Sequence, residues 1–430
     1  MGIYHIFGKN KLMGELSIGG CKNAILPILA ATVLSGKKSI IHNCPTILDT
    51  YTSIEILKHI GADVEYDGYT IIVDSSKINL SSLPKNSALN MRSSVVFLGA
   101  LLSRFNVASS FYPGGCKLGK RPIDLHLKGF EALNITVNEH EDKIICKTDI
   151  LKGNDIALDF PSVGATQNIM LAATLANGKT TIINAAKEPE IIDLQNFLIC
   201  LGADISGAGS KKITINGVKN LKEAEYTIMP DRIVAGTYLT AAAITQGSIK
   251  LNKVNTHDLK AVITKLEQAG SQITQHKDAI SIKAANVIKA VDIKTSPFPG
   301  FPTDMQPQFS SFLTLAKGES FVNETIFESR DNHLKELKKM GANIKITTNN
   351  FYIKGVKELY GTVVNAKDLR GGAALILAAL AAKGQSIIYD NNYIMRGYEN
   401  IERDLSKLGA DIKYHRENII EEKELSAASK

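Results

Sequence analysis

Six Ala/Leu-rich stretches of this 430-residue chain stop at Gly36, Asn106, Gly178, Gly247, Gly318 and Gly384, and fourteen residues before those stops stand Lys22, Arg92, Gly164, Ile233 (next to Arg232), Asp304 and Arg370. A second series, a Leu-Gly-Ala-like signal ahead of a β-rich run, recurs at Gly61, Asn134, Gly202, Gly270, Gly341 and Gly409, with successive members 68 to 73 residues apart. Self-similarity at one period marks a repeat architecture. The unit is most legible between Asp155 and Gly217, where the pattern predicts a strand over 156–160, an apolar helix over 165–176, a strand over 180–184, a helix over 191–201 and then a two-strand ribbon. The chain therefore reads as six βαβαββ units.

The first helix of each unit is apolar nearly all round, as in Leu377-Ala378-Ala379-Leu380-Ala381-Ala382, and a helix of that kind belongs inside a fold. Its Gly or Asn stop predicts a left-handed C-terminal cap. Six units exceed one ordinary core, so the expectation is an α/β fold of two lobes, three units each, with a hinge between them. The N-terminal lobe is expected to span residues 22–229 and the C-terminal lobe to be discontinuous, 1–21 together with 230–430. A strand expected over Leu12–Ile18 has no preceding unit, and we expect it to cross over and pair beside the last unit.

A net charge of +7 suits an anionic small ligand as well as nucleic acid, and no Lys/Arg run is long enough to favour the latter. The apolar run over 24–34 is too short to span a bilayer, and the start lacks the basic region of a signal peptide. The five cysteines, Cys21, Cys44, Cys116, Cys146 and Cys200, contain no C-x-x-C; they predict neither a disulfide framework nor a zinc site and fit a reducing cytoplasm. Without H-E-x-x-H or a His/carboxylate cluster, no metal and no cofactor are expected.

Chemistry concentrates in two places. In Phe111 to Leu125, three glycines and two prolines make a loop in which Lys117, Lys120 and Arg121 crowd Cys116, and neighbouring cations favour the reactive thiolate. Gly114 to Lys120 matches G-x-x-x-x-G-K, but Arg121 follows where a P-loop needs Ser or Thr. The second place is the strand-to-helix junctions, where a helix N-terminus suits phosphate or carboxylate. Lys22-Asn23, Arg92, Ser162-Val163-Gly164, Asp231-Arg232, Asp304 and Asp368-Leu369-Arg370 stand there. Any one of them reads equally as a helix cap or a solvated ion pair; six in register point to one binding surface. Arg396 joins the cations from a loop, and Arg330 reads equally as a surface partner of Glu328. Asp304 follows a Pro-rich turn over 297–302, and serves as an N-cap, a proton acceptor or both.

These residues in this order resemble the UDP-N-acetylglucosamine 1-carboxyvinyltransferase family of enolpyruvyl transferases. The resemblance runs from Gly20-Cys21-Lys22-Asn23-Ala24 to Arg396-Gly397-Tyr398-Glu399. It rests most on Pro113-Gly114-Gly115-Cys116, Arg121-Pro122-Ile123-Asp124-Leu125-His126, Phe160-Pro161-Ser162-Val163-Gly164-Ala165-Thr166, Glu188-Pro189-Glu190-Ile191, Pro302-Thr303-Asp304-Met305-Gln306 and Asp368-Leu369-Arg370. It implies two inside-out α/β barrels of three units each, with the active site between them. It also implies transfer of the enolpyruvyl group of phosphoenolpyruvate to the 3-hydroxyl of UDP-N-acetylglucosamine, without a cofactor. By the same resemblance Lys22, Asn23, Arg121, Arg370 and Arg396 would hold phosphoenolpyruvate. Arg92, Arg121, Pro122, Ile123, Asp124, Leu125, Ser162, Val163, Gly164, Asp304 and Ile326 would hold the UDP-sugar. Asp304 would be the base and Cys116 the acid and the thiol that fosfomycin alkylates, with Lys22 and Arg396 completing the catalytic set. Asp368, Asp231, Arg232, Glu188 and Arg330 stand as further candidates. The implied partners are these two small molecules, with no nucleic acid and no membrane, and a monomer is favoured.

Leu48 and Phe160 depart from the family pattern, standing where Lys is frequent, and Gly371-Gly372 stand where Ala-Ser is common. Two other readings compete: an enolpyruvyl transferase acting on shikimate 3-phosphate, against which the cysteine loop argues, and a ligand-binding paralogue without turnover. Against the second stand Lys22, Cys116, Asp304, Asp368, Arg370 and Arg396 together.

Overall fold

The computed structural model of the chain describes residues 1–115 and 122–416. Cys116 to Arg121, and the polar tail beyond 416, lie outside the described residues. The architecture is mixed α/β with six sheets, five of four strands and one of three. The unit read from Asp155 onward is present as strand Asp155–Ala157, helix Val163–Ala173, strand Lys179–Ile183, helix Pro189–Cys200 and strands Asp204–Ser206 and Lys212–Asn216. Its first two strands pair in parallel and the ribbon antiparallel. The other sheets repeat this order; in the three-stranded sheet the parallel first strand shrinks to a single bridge between Ser82 and Ser109.

The six apolar helices are Lys22–Ala31, Val96–Phe105 (after a 3-10 turn Arg92–Val95), Val163–Ala173, Arg232–Ile244, Gln306–Leu313 (after Thr303–Met305) and Leu369–Ala381. Their side chains are buried over nearly the whole circumference, all thirteen in Leu369–Ala381, which is why small and apolar residues fill most of them; Gln306–Leu313 instead buries Gln, Ser and Phe. Buried apolar residues form two clusters, one drawn from residues 21–228 and the other from residues 4–18 and 233–412.

Three local expectations need correction. Only Asn106 caps its helix directly in the left-handed conformation. At Thr32, Thr174, Thr245 and Thr314 the helix instead closes with the threonine hydroxyl donating to a carbonyl three or four residues back, and the left-handed residue follows later. At the fourth stop that residue is Gln246, with φ of 55°. Gly247 is required for space, since a β-carbon there would stand 2.1 Å from the Leu12 carbonyl oxygen. The second series, by contrast, is left-handed at all six positions.

The second correction concerns the N-terminus. Met13–Ser17 pairs in parallel with Ser248–Asn252, supplying the first strand of the fourth unit instead of lying beside the last. The strand that joins the last unit is Gly2–Phe7, inserted between Gln385–Asp390 and Asp411–Arg416. One ribbon strand follows the second helix of that unit among the described residues, so an open ladder remains for the N-terminus to fill. In return Ala224–Thr227 pairs in parallel with Lys38–His42 of the first unit. Third, the rule that a neighbouring cation favours the thiolate does not carry over to Cys21 beside Lys22: it is fully buried, and burial, with Asp231 and Glu190 adding, pushes its thiol well up. Cys44 and Cys146 are core residues and Cys200 is partly exposed.

Candidate functional site

The N-termini of the repeated helices converge on one cavity of about 540 Å³. Lys22, Asn23, Arg92, Ser162, Val163, Gly164, Arg232, Asp304, Asp368 and Arg370 all line it, together with Pro122, Asp124, Leu125, Glu188, Ile326, Arg330 and Arg396. Two described candidates do not. Ile123 packs its side chain into the first core, because the turn that starts helix Asp124–Ala132 points it inward. Asp231 is a cap: its Oδ1 accepts from the amides of Ile233 (2.8 Å) and Val234 (2.9 Å), and its Oδ2 accepts the Lys22 amide at 3.0 Å. One carboxylate thus neutralises the positive ends of two helices. Cys116 and Arg121 lie outside the described residues, but Arg92 donates to the Pro113 carbonyl (3.4 Å) and the Pro122 carbonyl (3.3 Å), so it ties together the two described ends of their segment.

Two carboxylates organise the cations. Asp304 receives Arg330 on Oδ1 at 2.9 Å, and Nε and Nη2 of Arg370 on Oδ2 at 3.2 and 3.1 Å. Asp49 receives Nζ of Lys22 on Oδ2 at 2.8 Å, and Arg396 on Oδ1 at 2.8 Å and Oδ2 at 3.2 Å. Each cluster carries two cations on one carboxylate, a net charge of one, and the two face each other closely enough for Lys22 to act on Asp304. Burial opposes ionisation of Asp304, but Arg370, Arg330 and Lys22 overcome it and hold the carboxyl far below the usual range. In the same way Lys22 and Arg396 lower Asp49 against its burial. Both are therefore carboxylates at neutral pH.

Aromatic rings cover the guanidinium faces, Tyr398 for Arg370 at 5.5 Å and Phe327 for Arg330 at 4.8 Å, which leaves the N–H edges to act. One donor on each is unspent: Arg370 Nη1 and Arg330 Nε are buried without a partner among the described residues. Buried charged donors in that state are costly unless a ligand supplies acceptors, and a small dianion or trianion satisfies them. A third pair, Arg232 with Glu190 at 3.0 and 3.2 Å, is internally neutral. Glu188 accepts the Phe298 amide on one oxygen at 3.2 Å, while burial raises its pKa. Asp368 caps its helix through the Gly371 amide at 2.8 Å. A β-carbon at Gly371 would stand 2.6 Å from Asp368 Oδ2, so the glycine belongs to the cap. Phe160 lines the cavity 43% exposed, whereas Leu48 opens helix Leu48–His59 and does not reach it.

Sequence reasoning missed Asp49, Glu190, His126 and Gln167, all of which line the cavity. A signal was available for the first two. The second helix of several units carries a carboxylate in its first turn, at Asp49, Asp124, Glu190 and Asp258, an acidic series that mirrors the cationic one. Among the described residues no group of His, Cys, Asp and Glu could hold a metal ion, and no helix is long and apolar enough to cross a membrane.

The sequence profile of the EPSP synthase (3-phosphoshikimate 1-carboxyvinyltransferase) family matches residues 6–419. UDP-N-acetylglucosamine 1-carboxyvinyltransferase 2 of Caldanaerobacter subterraneus subsp. tengcongensis is 51% identical over 96% of this chain and 99% of its own. The protein of the same name from Clostridium tetani is 49% identical over 94% and 98%. Among solved structures, the enolpyruvyl transferase NikO from Streptomyces tendae superimposes with a TM-score of 0.87 at 25% identity, covering 97% of this chain and 99% of that one. EPSP synthase from Acinetobacter baumannii shares the fold, with a TM-score of 0.74 at 18% identity over 97% and 100%. A cavity lined by clustered cations, a profile matched over nearly the full chain and relatives about half identical to it agree: the chain belongs to the enolpyruvyl transferases, in the group of the UDP-N-acetylglucosamine 1-carboxyvinyltransferases.

Proposed function

We propose that this chain transfers the enolpyruvyl group of phosphoenolpyruvate to the 3-hydroxyl of UDP-N-acetylglucosamine, releasing phosphate, at the start of peptidoglycan precursor synthesis in the cytoplasm. The observation that carries the reading is the facing pair of clusters, Asp304 with Arg330 and Arg370 against Asp49 with Lys22 and Arg396. Phosphoenolpyruvate offers a phosphate and a carboxylate to cations already held in place. Lys22, Arg370 and Arg396 bind it, with Arg121 and Asn23. The UDP-sugar lies along Arg92, Arg121, Pro122, Asp124, Leu125, Ser162 to Gly164 and Ile326, with its 3-hydroxyl at Asp304.

In the first step the 3-oxygen bonds to C2 of phosphoenolpyruvate, Asp304 takes the hydroxyl proton and C3 gains a proton, forming a tetrahedral adduct. In the second, C3 loses a proton, the C2–O bond to phosphate breaks and the double bond returns. The cations stabilise the charge on the adduct. Asp304 is a weak base while two arginines hold it; when the substrate's anionic groups take part of Arg370, its basicity rises at the moment a base is needed. Cys116 is assigned the proton on C3. Glu188, Arg232 and Asp368 support the wall, and Asp231 sets the entry of two helices.

The two apolar clusters support two inside-out barrel lobes, 22–229 and 1–21 with 230–430, that close over the site. The strand exchange near residues 13–17 and 224–227 forms the hinge. Closure excludes water from the transfer. The test is phosphate release from phosphoenolpyruvate with UDP-N-acetylglucosamine or shikimate 3-phosphate as acceptor, with and without fosfomycin. Release with the UDP-sugar alone, stopped by fosfomycin and lost in Cys116→Ser, is expected. Release with shikimate 3-phosphate alone contradicts the substrate assignment, and release with neither acceptor contradicts catalysis.

A further inference from the structure

His126, the third residue of helix Asp124–Ala132, is 7% exposed and lines the cavity. Its Nδ1 lies 2.9 Å from Asn168 Nδ2. The amide of Asn168 is fully committed: Oδ1 accepts the Gly99 amide at 2.8 Å, and Nδ2 also donates to the Val95 carbonyl at 2.9 Å. Turning the amide over would set its NH2 group against the Gly99 N–H and its oxygen against the Val95 carbonyl, so the orientation is dictated. The second Nδ2 proton therefore goes to His126 Nδ1, which must be an acceptor. A neutral imidazole accepting on Nδ1 carries its proton on Nε2. Burial, helped by the positive charge of Arg92, pushes the ring down to about 3, so it is neutral at working pH.

The Nε2–H has no acceptor among the described residues. It lies against the first turn of helix Val163–Ala173, where a β-carbon at Gly164 would stand 3.1 Å from Nε2. One turn further along that helix, Gln167 Nε2 lines the same wall, buried and without a partner among the described residues. The opening amides of any helix lack intrahelical acceptors and add the positive end of its dipole. Three kinds of uncharged donor thus meet at one place.

We propose that His126 is a further substrate-positioning residue, donating its Nε2–H to a phosphate oxygen of the nucleotide-sugar at the N-terminus of helix Val163–Ala173, with Asn168 setting the required tautomer. This rests on the reading of the cavity as a UDP-sugar site. A neutral donor suits the place, because it holds the diphosphate by geometry without competing for the charge that phosphoenolpyruvate needs at Lys22, Arg370 and Arg396.

The test is calorimetric titration of wild type, His126→Phe and His126→Gln with UDP-N-acetylglucosamine, UDP and uridine, together with the KM for phosphoenolpyruvate. Removing a hydrogen bond to a charged acceptor should weaken UDP-N-acetylglucosamine and UDP by about tenfold or more in His126→Phe. Uridine affinity and the KM for phosphoenolpyruvate should stay within about twofold. His126→Gln, whose amide N–H can take the place of Nε2–H, should recover most of the loss. Unchanged affinity in His126→Phe, an equal loss in His126→Gln, or an equal loss for uridine overturns the proposal. A wild type that binds no UDP ligand overturns the UDP-sugar reading and this role with it. Nitrogen NMR of the ligand-free wild type should show His126 protonated on Nε2; protonation on Nδ1 overturns the tautomer argument whatever the affinities.

Discussion

Asp49 and Asp304 are both carboxylates clasped by two cations, but they differ in where the cations come from. Asp304 is joined to Arg330 and Arg370, all within the stretch whose apolar residues form the second core. Asp49 belongs to the first stretch and reaches Arg396 of the second, 347 residues away. One cluster is a fixture of a single core and the other a strap between two. Exposure agrees: the Asp304 side chain is 26% exposed to the cavity and that of Asp49 only 4%. That suits the proposed roles, a group that touches substrate staying open and a group that joins two bodies being covered.

If Asp304 is the base, Asp304→Asn breaks the comparison most severely. Turnover should fall by about a thousandfold, in the range of lost general-base catalysis, while UDP-sugar affinity changes by less than about tenfold. Steady-state kinetics beside calorimetry separates the two, and near-wild-type turnover would remove Asp304 from the chemistry. Lys22→Ala should come next, with about a hundredfold increase in KM for phosphoenolpyruvate and little change in UDP-sugar binding; equal loss of both would contradict its placement. Asp49→Asn should be milder, about tenfold on that KM, because it leaves the cations and removes the strap. Its specific signature is a larger radius of gyration of the ligand-free protein in X-ray scattering, and an unchanged radius would argue against a strap.

The sixfold period, the buried first helices and the gathering of Lys22, Arg92, Asp304 and Arg370 at helix starts were legible because each is a local pattern repeated in register. The crossing of the N-terminal strand into the second stretch was legible as well, but its partner was not. Nothing in Met13–Ser17 says that it pairs with Ser248–Asn252 and not beside the last unit, and nothing in Ala224–Thr227 names Lys38–His42, since those choices are made by partners more than 180 residues away. Asp49, Glu190 and His126 were hidden for a related reason. Alone each is an ordinary first-turn residue or buried ring, and each acquires meaning from one distant partner, Arg396, Arg232 or Asn168.

Acidity sharpens the contrast by a smaller amount. Among the described residues neither Asp193 nor Asp390 is paired with a Lys or Arg; the N-terminal amine draws Asp390 down in part, but burial pushes both up to about 6. Those values lie above the unfolded one of about 3.9, so the native state binds more protons in between and stability should rise as pH falls from about 6 to about 4, by at most about 3 kcal/mol for each. Asp49 and Asp304 act in the opposite sense: their folded values are depressed, so their stabilisation is present above the unfolded value and is lost as pH falls below it. The melting temperature should therefore peak near about pH 4 in calorimetry, and Asp193→Asn should flatten the rise. A steady decline from pH 7 downward would contradict both assignments.

The account stands most directly on addition followed by elimination at the Asp304 cluster. The deciding measurement is the reaction of phosphoenolpyruvate with UDP-N-acetylglucosamine in D2O, followed by phosphorus NMR and mass spectrometry of the product. The account predicts one phosphate released per enolpyruvyl group transferred, with deuterium in the product's methylene, because C3 gains and loses a proton. Transfer without deuterium at C3, or phosphate release without an enolpyruvyl product, would contradict it.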